Sequence, residues 1–203
     1  MSTPFIIGIT GPAGSGKDTV AEMLRYSFQQ CLRPRMTKTL ALAEPIKQFC
    51  AVVFDWPDDR LFGESKLRNI PDADGLTPRR ALQTLGTEWG RTLREDVWVD
   101  LLLRTINRHH KEQLQYRKQV MVYLVPDVRF PNEARRIREA GGIILRVSGR
   151  NGNVGTEHTS EQHFDSVELG AQVTHEIDNS RDLDHLRSQV YKIVREIEGP
   201  LPE

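Results

Sequence analysis

The chain has 203 residues, 38% of them apolar and 28% charged, with 28 Lys plus Arg against 28 Asp plus Glu and therefore no formal net charge. That length buries one core without disulfides or a structural metal, and the even charge balance argues against a dedicated nucleic-acid binder. Nothing approaches the ~18 apolar residues of a membrane span. The apolar start from Phe5 to Ile9 lacks the length and basic flank of a signal peptide, and Cys31 and Cys50 have no paired spacing, so a soluble protein of a reducing cytoplasm is expected, with neither nucleic acid nor membrane as partner.

Phe5 to Thr10 reads as a buried strand that stops at Gly11. Gly11 to Lys17 is a glycine-rich turn, and Asp18 to Leu32 has helical spacing, with Val20, Met23, Leu24 and Phe28 on one side. A second short strand is predicted over Thr39 to Ala43. A helix follows from Glu44-Pro45, proline suiting a first helical turn. Residues 55–77, rich in Pro, Asp and Gly, form a long excursion of the kind that often carries function. Pro78 to Arg94 and Val97 to Tyr116 are helical, the first interrupted by Gly86 and Gly90. Val120 to Val125 is a strongly apolar strand ending at Pro126-Asp127. Asn132 to Ala140 is a helix closed by Gly141-Gly142, and Ile143 to Val147 is another strand. Residues 148–166 are polar and without period, a candidate lid loop. Val173 to Ile177 reads as a short strand and Leu183 to Ile197 as an amphipathic closing helix. Short apolar strands alternating with helices imply an α/β fold in three layers, a parallel sheet covered on both faces.

The segment Gly11-Pro12-Ala13-Gly14-Ser15-Gly16-Lys17-Asp18-Thr19 lies between a predicted strand and a predicted helix. Such a loop curls successive backbone N–H groups around phosphate oxygens at a helix N-terminus, and Lys17 reaches the β and γ phosphates. Glycine is needed where the backbone curls and where a Cβ would strike the phosphate. Gly11, Gly14, Ser15, Gly16, Lys17, Asp18 and Thr19 are therefore expected to hold a nucleoside triphosphate. Asp18 stands where a hydroxyl commonly follows the lysine. It either holds Mg²⁺ through water or complements the helix dipole.

Asp127-Val128-Arg129 follows directly on an apolar strand, where open α/β sheets place their ligands. Asp127 is thus a candidate for organising Mg²⁺ and Arg129 for meeting a phosphate, the alternatives being a helix N-cap and a surface charge. Arg80, Gln83 and Thr87 fall near one helix face at spacings of three and four, a strip suited to an anion and a polar base edge, or to plain solvation. His109-His110 reads as a solvent-facing pair, and Trp56, Trp89 and Trp98 as packing residues. His158 and His163 share the lid loop with Arg150, close to Arg146.

These pieces, in their order, resemble the bacteriophage deoxynucleoside monophosphate kinases, a branch of the P-loop nucleotide kinases. The matching residues are Ser15-Gly16-Lys17-Asp18-Thr19, Leu42-Ala43-Glu44-Pro45-Ile46-Lys47, Arg79-Arg80 with Leu82-Gln83-Thr84-Leu85-Gly86-Thr87, Trp98-Val99 and Val125-Pro126-Asp127-Val128-Arg129. His158-Thr159-Ser160-Glu161 and Ile177-Asp178-Asn179 fit the family's closing motifs.

The resemblance implies a single kinase domain over 1–203, with an acceptor-binding helical region at about 55–117. It implies transfer of the γ-phosphoryl of ATP to a deoxynucleoside 5'-monophosphate (dNMP) with Mg²⁺, held at Asp18 and Asp127. Lys17, Asp127 and Arg129 would act on the transferring group, with Arg146 or Arg150 as further cations. Lys47, Arg80, Gln83 and Arg129 would line the acceptor side, with Thr87, Trp98 and Glu161 beside them and Asn179 near the adenine. It is compatible with a homodimer and with a host cytoplasm. Phosphomevalonate kinases share the Asp-Val-Arg, Ser-Glu and Ile-x-Asn pattern, so a non-nucleotide phosphate is the alternative acceptor. A non-catalytic guanine-nucleotide switch is disfavoured, because no Asn-Lys-x-Asp signature is present.

Overall fold

Five short strands carry the β-branched and apolar runs of the sequence, and all pair in parallel in the order β2-β3-β1-β4-β5. They are β1 (Phe5–Thr10), β2 (Met36–Thr39), β3 (Met121–Val125), β4 (Ile143–Ser148) and β5 (His175–Asp178). The computed structural model describes residues 3–31, 34–62, 70–117, 121–149 and 166–199. Its contacts divide the chain into a sheet unit, Met1–Leu40 with Leu102–Glu203, and a helical unit, Ala41–Leu101.

In the sheet unit, period-two alternation sends side chains to two faces. Ile7, Ile9, Val122, Leu124, Leu145 and Val147 point to one face. There they meet α1 (Lys17–Gln30) through Val20, Leu24 and Phe28, and the closing helix α8 (Leu183–Glu198) through Leu186, Val190 and Val194. The opposite face is covered by α6 (Pro131–Glu139), which packs on β1 and β4. A Cβ at Gly8 would strike Ile144 on β4 and crowd Val128 and Ile137, so glycine lets α6 lie close to the central strand. Helix, sheet and helix thus form the three expected layers. A four-residue helix α7 (Val167–Gly170) precedes β5.

Two expectations are corrected in this unit. The second strand is Met36–Thr39, not Thr39 to Ala43. Its polar residues sit on a sheet edge that pairs with β3 alone, whereas the apolar run belongs to a turn, with Leu42 buried, that leads into the next helix. The second correction is His109-His110, on α5 (Val97–Arg117), a helix that starts in the helical unit and ends in the sheet unit. His110 is 3% exposed. The His109 Nδ1 lies 2.9 Å from the hydroxyl of the fully buried Tyr123, and both imidazoles stand edge-on to its ring. Leu102, Leu103 and Ile106 are buried along the same helix, and His110 continues their stripe.

The helical unit contains α2 (Glu44–Phe54), α3 (Asp58–Phe62), α4 (Pro78–Gln83) and a π-helix over Thr84–Arg91. Ile46, Cys50, Trp56, Leu61 and Ala81 form its core. The helix of 78–94 changes pitch at Thr84. Gly90 has no room for a Cβ beneath the Trp98 indole, and Trp98 Nε1 donates to the Gly86 carbonyl at 2.8 Å. Two glycines let the wider coil sit against a tryptophan edge.

Candidate active site

The loop that leaves β1 is built by three glycines at positive φ: Gly11 (+143°), Gly14 (+77°) and Gly16 (+96°). At Gly11 a Cβ would collide with the Val147 carbonyl of β4, and at Gly16 with the Asn179 amide; at Gly14 it would meet open space. Two of the glycines therefore answer to close packing and the third to backbone conformation. Ser15 is buried, and its N–H returns to the Pro12 carbonyl at 3.2 Å, tightening the curl. Lys17 opens α1, and its Nζ donates back across the loop to the carbonyls of Gly11 (2.8 Å) and Pro12 (2.7 Å). Asp18 and Thr19 follow on the first turn, both exposed.

Asn179 joins this loop from the far end of the sequence. It is 2% exposed, and its Nδ2 donates to the Ser15 carbonyl at 2.8 Å. Its backbone is clamped in turn. Asn179 N–H donates to Ser148 O at 2.8 Å, and the Gln189 amide of α8 exchanges two hydrogen bonds with the Asp178 backbone. The Asp178 carboxylate accepts from the Ser180 hydroxyl and N–H, which hold it below the usual carboxylate range. The family resemblance implies a place for Asn179 near the adenine. The structure gives it a bracing contact beneath the phosphate loop. The Asn179 Oδ1, the Ser15 Oγ and the Thr10 Oγ1 at the end of β1 are buried and have no hydrogen-bond partner among the described residues.

Asp127 and Arg129 lie immediately after β3, the strand beside β1, and the Val128 N–H donates to Ile9 O at 3.2 Å. The turn is therefore tied to the same carboxyl end of the sheet as the loop. Its second anchor, which sequence reading missed, is Glu133. This buried carboxylate accepts from the N–H groups of Arg129 (2.9 Å) and Phe130 (3.0 Å). Pro131 followed two residues later by Glu is the capping pattern that signals it. Arg146 lies opposite Thr10 in the β1–β4 register. Its Nη1 is 3.6 Å from Glu176 Oε1, while Nε and Nη2 are buried and have no hydrogen-bond partner among the described residues.

The remaining predicted residues lie in the helical unit. Lys47 Nζ sits 4.9 Å over the Phe62 ring, and Trp98 packs on the glycines of the π-helix. Trp56 is buried, but Trp89 is 55% exposed and is not the packing residue expected. Arg80 and Gln83 keep their three-residue spacing on α4, while Thr87 lies beyond the change of pitch. α-Helical spacing ends at Gln83, and the π-helix shifts the phase of everything beyond it. Arg80 and Thr84 share a cavity of about 430 Å³ with Asp74, between walls formed by Phe54, Leu76, Ala81 and Leu85. Gln83 and Thr87 are not part of that lining. Glu161, Arg150 and the lid-loop histidines lie outside the described residues.

A central parallel strand that delivers a three-glycine loop and a lysine into a helix N-terminus defines a P-loop protein. No family model matches the chain. A protein of Acanthamoeba polyphaga mimivirus, provisionally named a deoxynucleotide monophosphate kinase, is 29% identical over 200 residues, covering 93% of this chain and 95% of its own. The deoxynucleoside-5'-monophosphate kinase of Escherichia phage T5 is 23% identical over 248 residues, covering 92% and 94%. Shikimate kinases from Bacteroides thetaiotaomicron and Acinetobacter baumannii align at a TM-score of 0.42, with 15% and 16% identity over 96% and 97% of this chain and 98% and 94% of theirs. The chain is homologous, nearly end to end, to the two viral proteins.

Proposed function

We propose that the chain transfers the γ-phosphoryl of ATP to a deoxynucleoside 5'-monophosphate, yielding ADP and the diphosphate. The observation that carries this reading is the glycine-built loop braced by Asn179, in a chain homologous over 93% and 92% of its length to two viral proteins named as such kinases. The acceptor is a phosphate oxygen already anionic at neutral pH, so no general base is required. Catalysis then consists of positioning and of charge stabilisation. In this reading the loop N–H groups and Lys17 hold the donor, Lys17 exchanging its two loop carbonyls for phosphate oxygens. Arg129 neutralises the transferring group. Arg80 takes the acceptor phosphate, ideally through two parallel hydrogen bonds.

Magnesium fits this donor set in one particular way. No cluster of three or more His, Cys, Asp or Glu that could hold a metal exists among the described residues. Mg²⁺ in phosphoryl-transfer sites needs only one or two carboxylates beyond water and substrate phosphates, and Asp18 and Asp127 offer that. Bound there, the ion would supply charge neutralisation between the phosphates. No helix among the described residues is long and apolar enough to cross a membrane.

Coupled ADP release tests the reading, with the purified chain, Mg²⁺ and ATP against dGMP, dTMP, dCMP, dAMP, their ribose counterparts and phosphomevalonate. Turnover of at least one dNMP at ten times the rate of ATP hydrolysis alone is expected. Turnover of phosphomevalonate with none of any nucleotide would overturn it.

A further inference from the structure

The cavity of the helical unit has a composition more specific than phosphate binding requires. Phe54, Leu76, Ala81 and Leu85 supply apolar walls, and Phe54 is held by its own contact with Trp56 at 4.7 Å between ring centroids. A rigid aromatic wall and about 430 Å³ of space suit a flat heterocycle. Two opposite charges share the same rim, Arg80 on α4 and Asp74 on the preceding loop. Neither side chain has a hydrogen bond or ion pair among the described residues, not even with the other.

Asp74 stands on a braced turn. The Asp72 carboxylate accepts from the N–H groups of Asp74 (3.1 Å) and Leu76 (2.8 Å). Asp72 N–H donates to Leu76 O at 2.9 Å, and Gly75 completes the curl at φ +84°. The turn fixes where the Asp74 carboxylate starts while leaving that carboxylate unengaged. A carboxylate offers two acceptor oxygens and no donor.

We propose that this cavity binds the acceptor's base and that Asp74 is the specificity-determining residue, selecting guanine. This rests on the nucleotide-kinase reading above. Guanine presents N1–H and N2–H₂ side by side, two donors that meet the two oxygens of one carboxylate in parallel. Cytosine and adenine offer one amino group next to a ring acceptor. Thymine offers a single N3–H flanked by two carbonyls that a carboxylate repels. The expected order is dGMP first and dTMP last. The same negative charge disfavours an acceptor carrying a carboxylate in place of a base, as phosphomevalonate does.

The test is Asp74→Asn, whose amide both donates and accepts and so complements the thymine edge. In the wild-type chain kcat/KM for dGMP should exceed that for dTMP by at least ~10-fold, in line with one good bidentate base contact. Asp74→Asn should lower dGMP turnover by ~10-fold or more, raise dTMP turnover, and leave the melting temperature unchanged. Calorimetric binding of dGMP and dTMP without ATP separates the two layers of the argument. A dGMP preference in binding that Asp74→Asn abolishes, in a chain that phosphorylates no dNMP, would support the base site and sink the kinase reading. Efficient dNMP turnover with a dGMP-to-dTMP ratio unmoved by Asp74→Asn would overturn the role of Asp74 and spare that reading. A binding ratio that the substitution leaves unmoved would overturn it as well.

Discussion

Lys17 holds its own loop closed, its ammonium sitting on the carbonyls of Gly11 and Pro12. The same group is the one a triphosphate would draw away. Lys17→Ala should therefore fold normally and lose at least ~10²-fold in turnover, the cost of removing one transition-state charge contact. Retention of more than a tenth of wild-type turnover by the purified variant would reject the donor-site assignment. Gly16 makes a second and sharper case. Its φ of +96° costs a side-chain-bearing residue about 1–2 kcal/mol, and an added Cβ would also run into the Asn179 amide. Gly16→Ala should thus lower denaturant stability by at least that strain and weaken ATP binding measured by calorimetry. Wild-type values of both would mean the loop is free to adopt another course. At this scale much was legible. The glycines, Lys17 and the Asp127–Arg129 turn could be read because each lies at a strand end marked in the sequence. The Asn179 brace was not legible, because 164 residues separate its amide from the Ser15 carbonyl and nothing local announces such a pairing.

Elements were legible where their apolar period was long, and the departures have physical causes. The edge strand β2 carries Met36-Thr37-Lys38-Thr39, a sequence with little apolar signal, and is stabilised by pairing with β3 rather than by its own side chains. The change to π-helix at Thr84 was invisible because Gly86 and Gly90 read as interruptions and not as a change of pitch. The lining of the cavity has a kinetic consequence. Arg80 lines the cavity of the helical unit and Gln83 does not. Arg80→Lys should slow every dNMP acceptor by a similar factor, since a point charge replaces a fork that can bond two phosphate oxygens. Gln83→Ala should leave the ranking of dGMP, dTMP and dCMP as it is. A reordering of those acceptors by Gln83→Ala, in steady-state kinetics on all three, would return the base edge to Gln83 and take it from the cavity.

Over the whole molecule, the alternation of apolar strands and helices revealed a layered parallel sheet, whereas the order β2-β3-β1-β4-β5 could not be read, because parallel partners are far apart in the chain. The reach of the helical unit back to Ala41 was equally hidden, since α2 looks like any other helix after a strand. The polar pair His109-His110 misled for a related reason: its surroundings on α5 are charged in sequence, but the helix turns that point against the buried Tyr123. The burial of Tyr123 gives the fold an alkaline limit. Burial, aided by the negative charge of Glu112, pushes the Tyr123 phenol from its usual 10 up to about 12. An acid whose pKa is raised by folding binds its proton more tightly in the native state. Its contribution to stability is complete below about pH 10, where both states are protonated, and falls as pH rises toward 12, because the unfolded chain ionises first. In that window this one group should reduce stability by about 1.4 kcal/mol per pH unit. Tyr123→Phe removes the titration while keeping the ring. Urea unfolding at pH 9 and pH 11 should show the wild type losing more stability than Tyr123→Phe over that interval, although the variant starts lower at pH 9 for want of the hydroxyl contact to His109. Equal losses in the two proteins would mean that the Tyr123 phenol titrates normally and that the face of the sheet beneath α5 admits water.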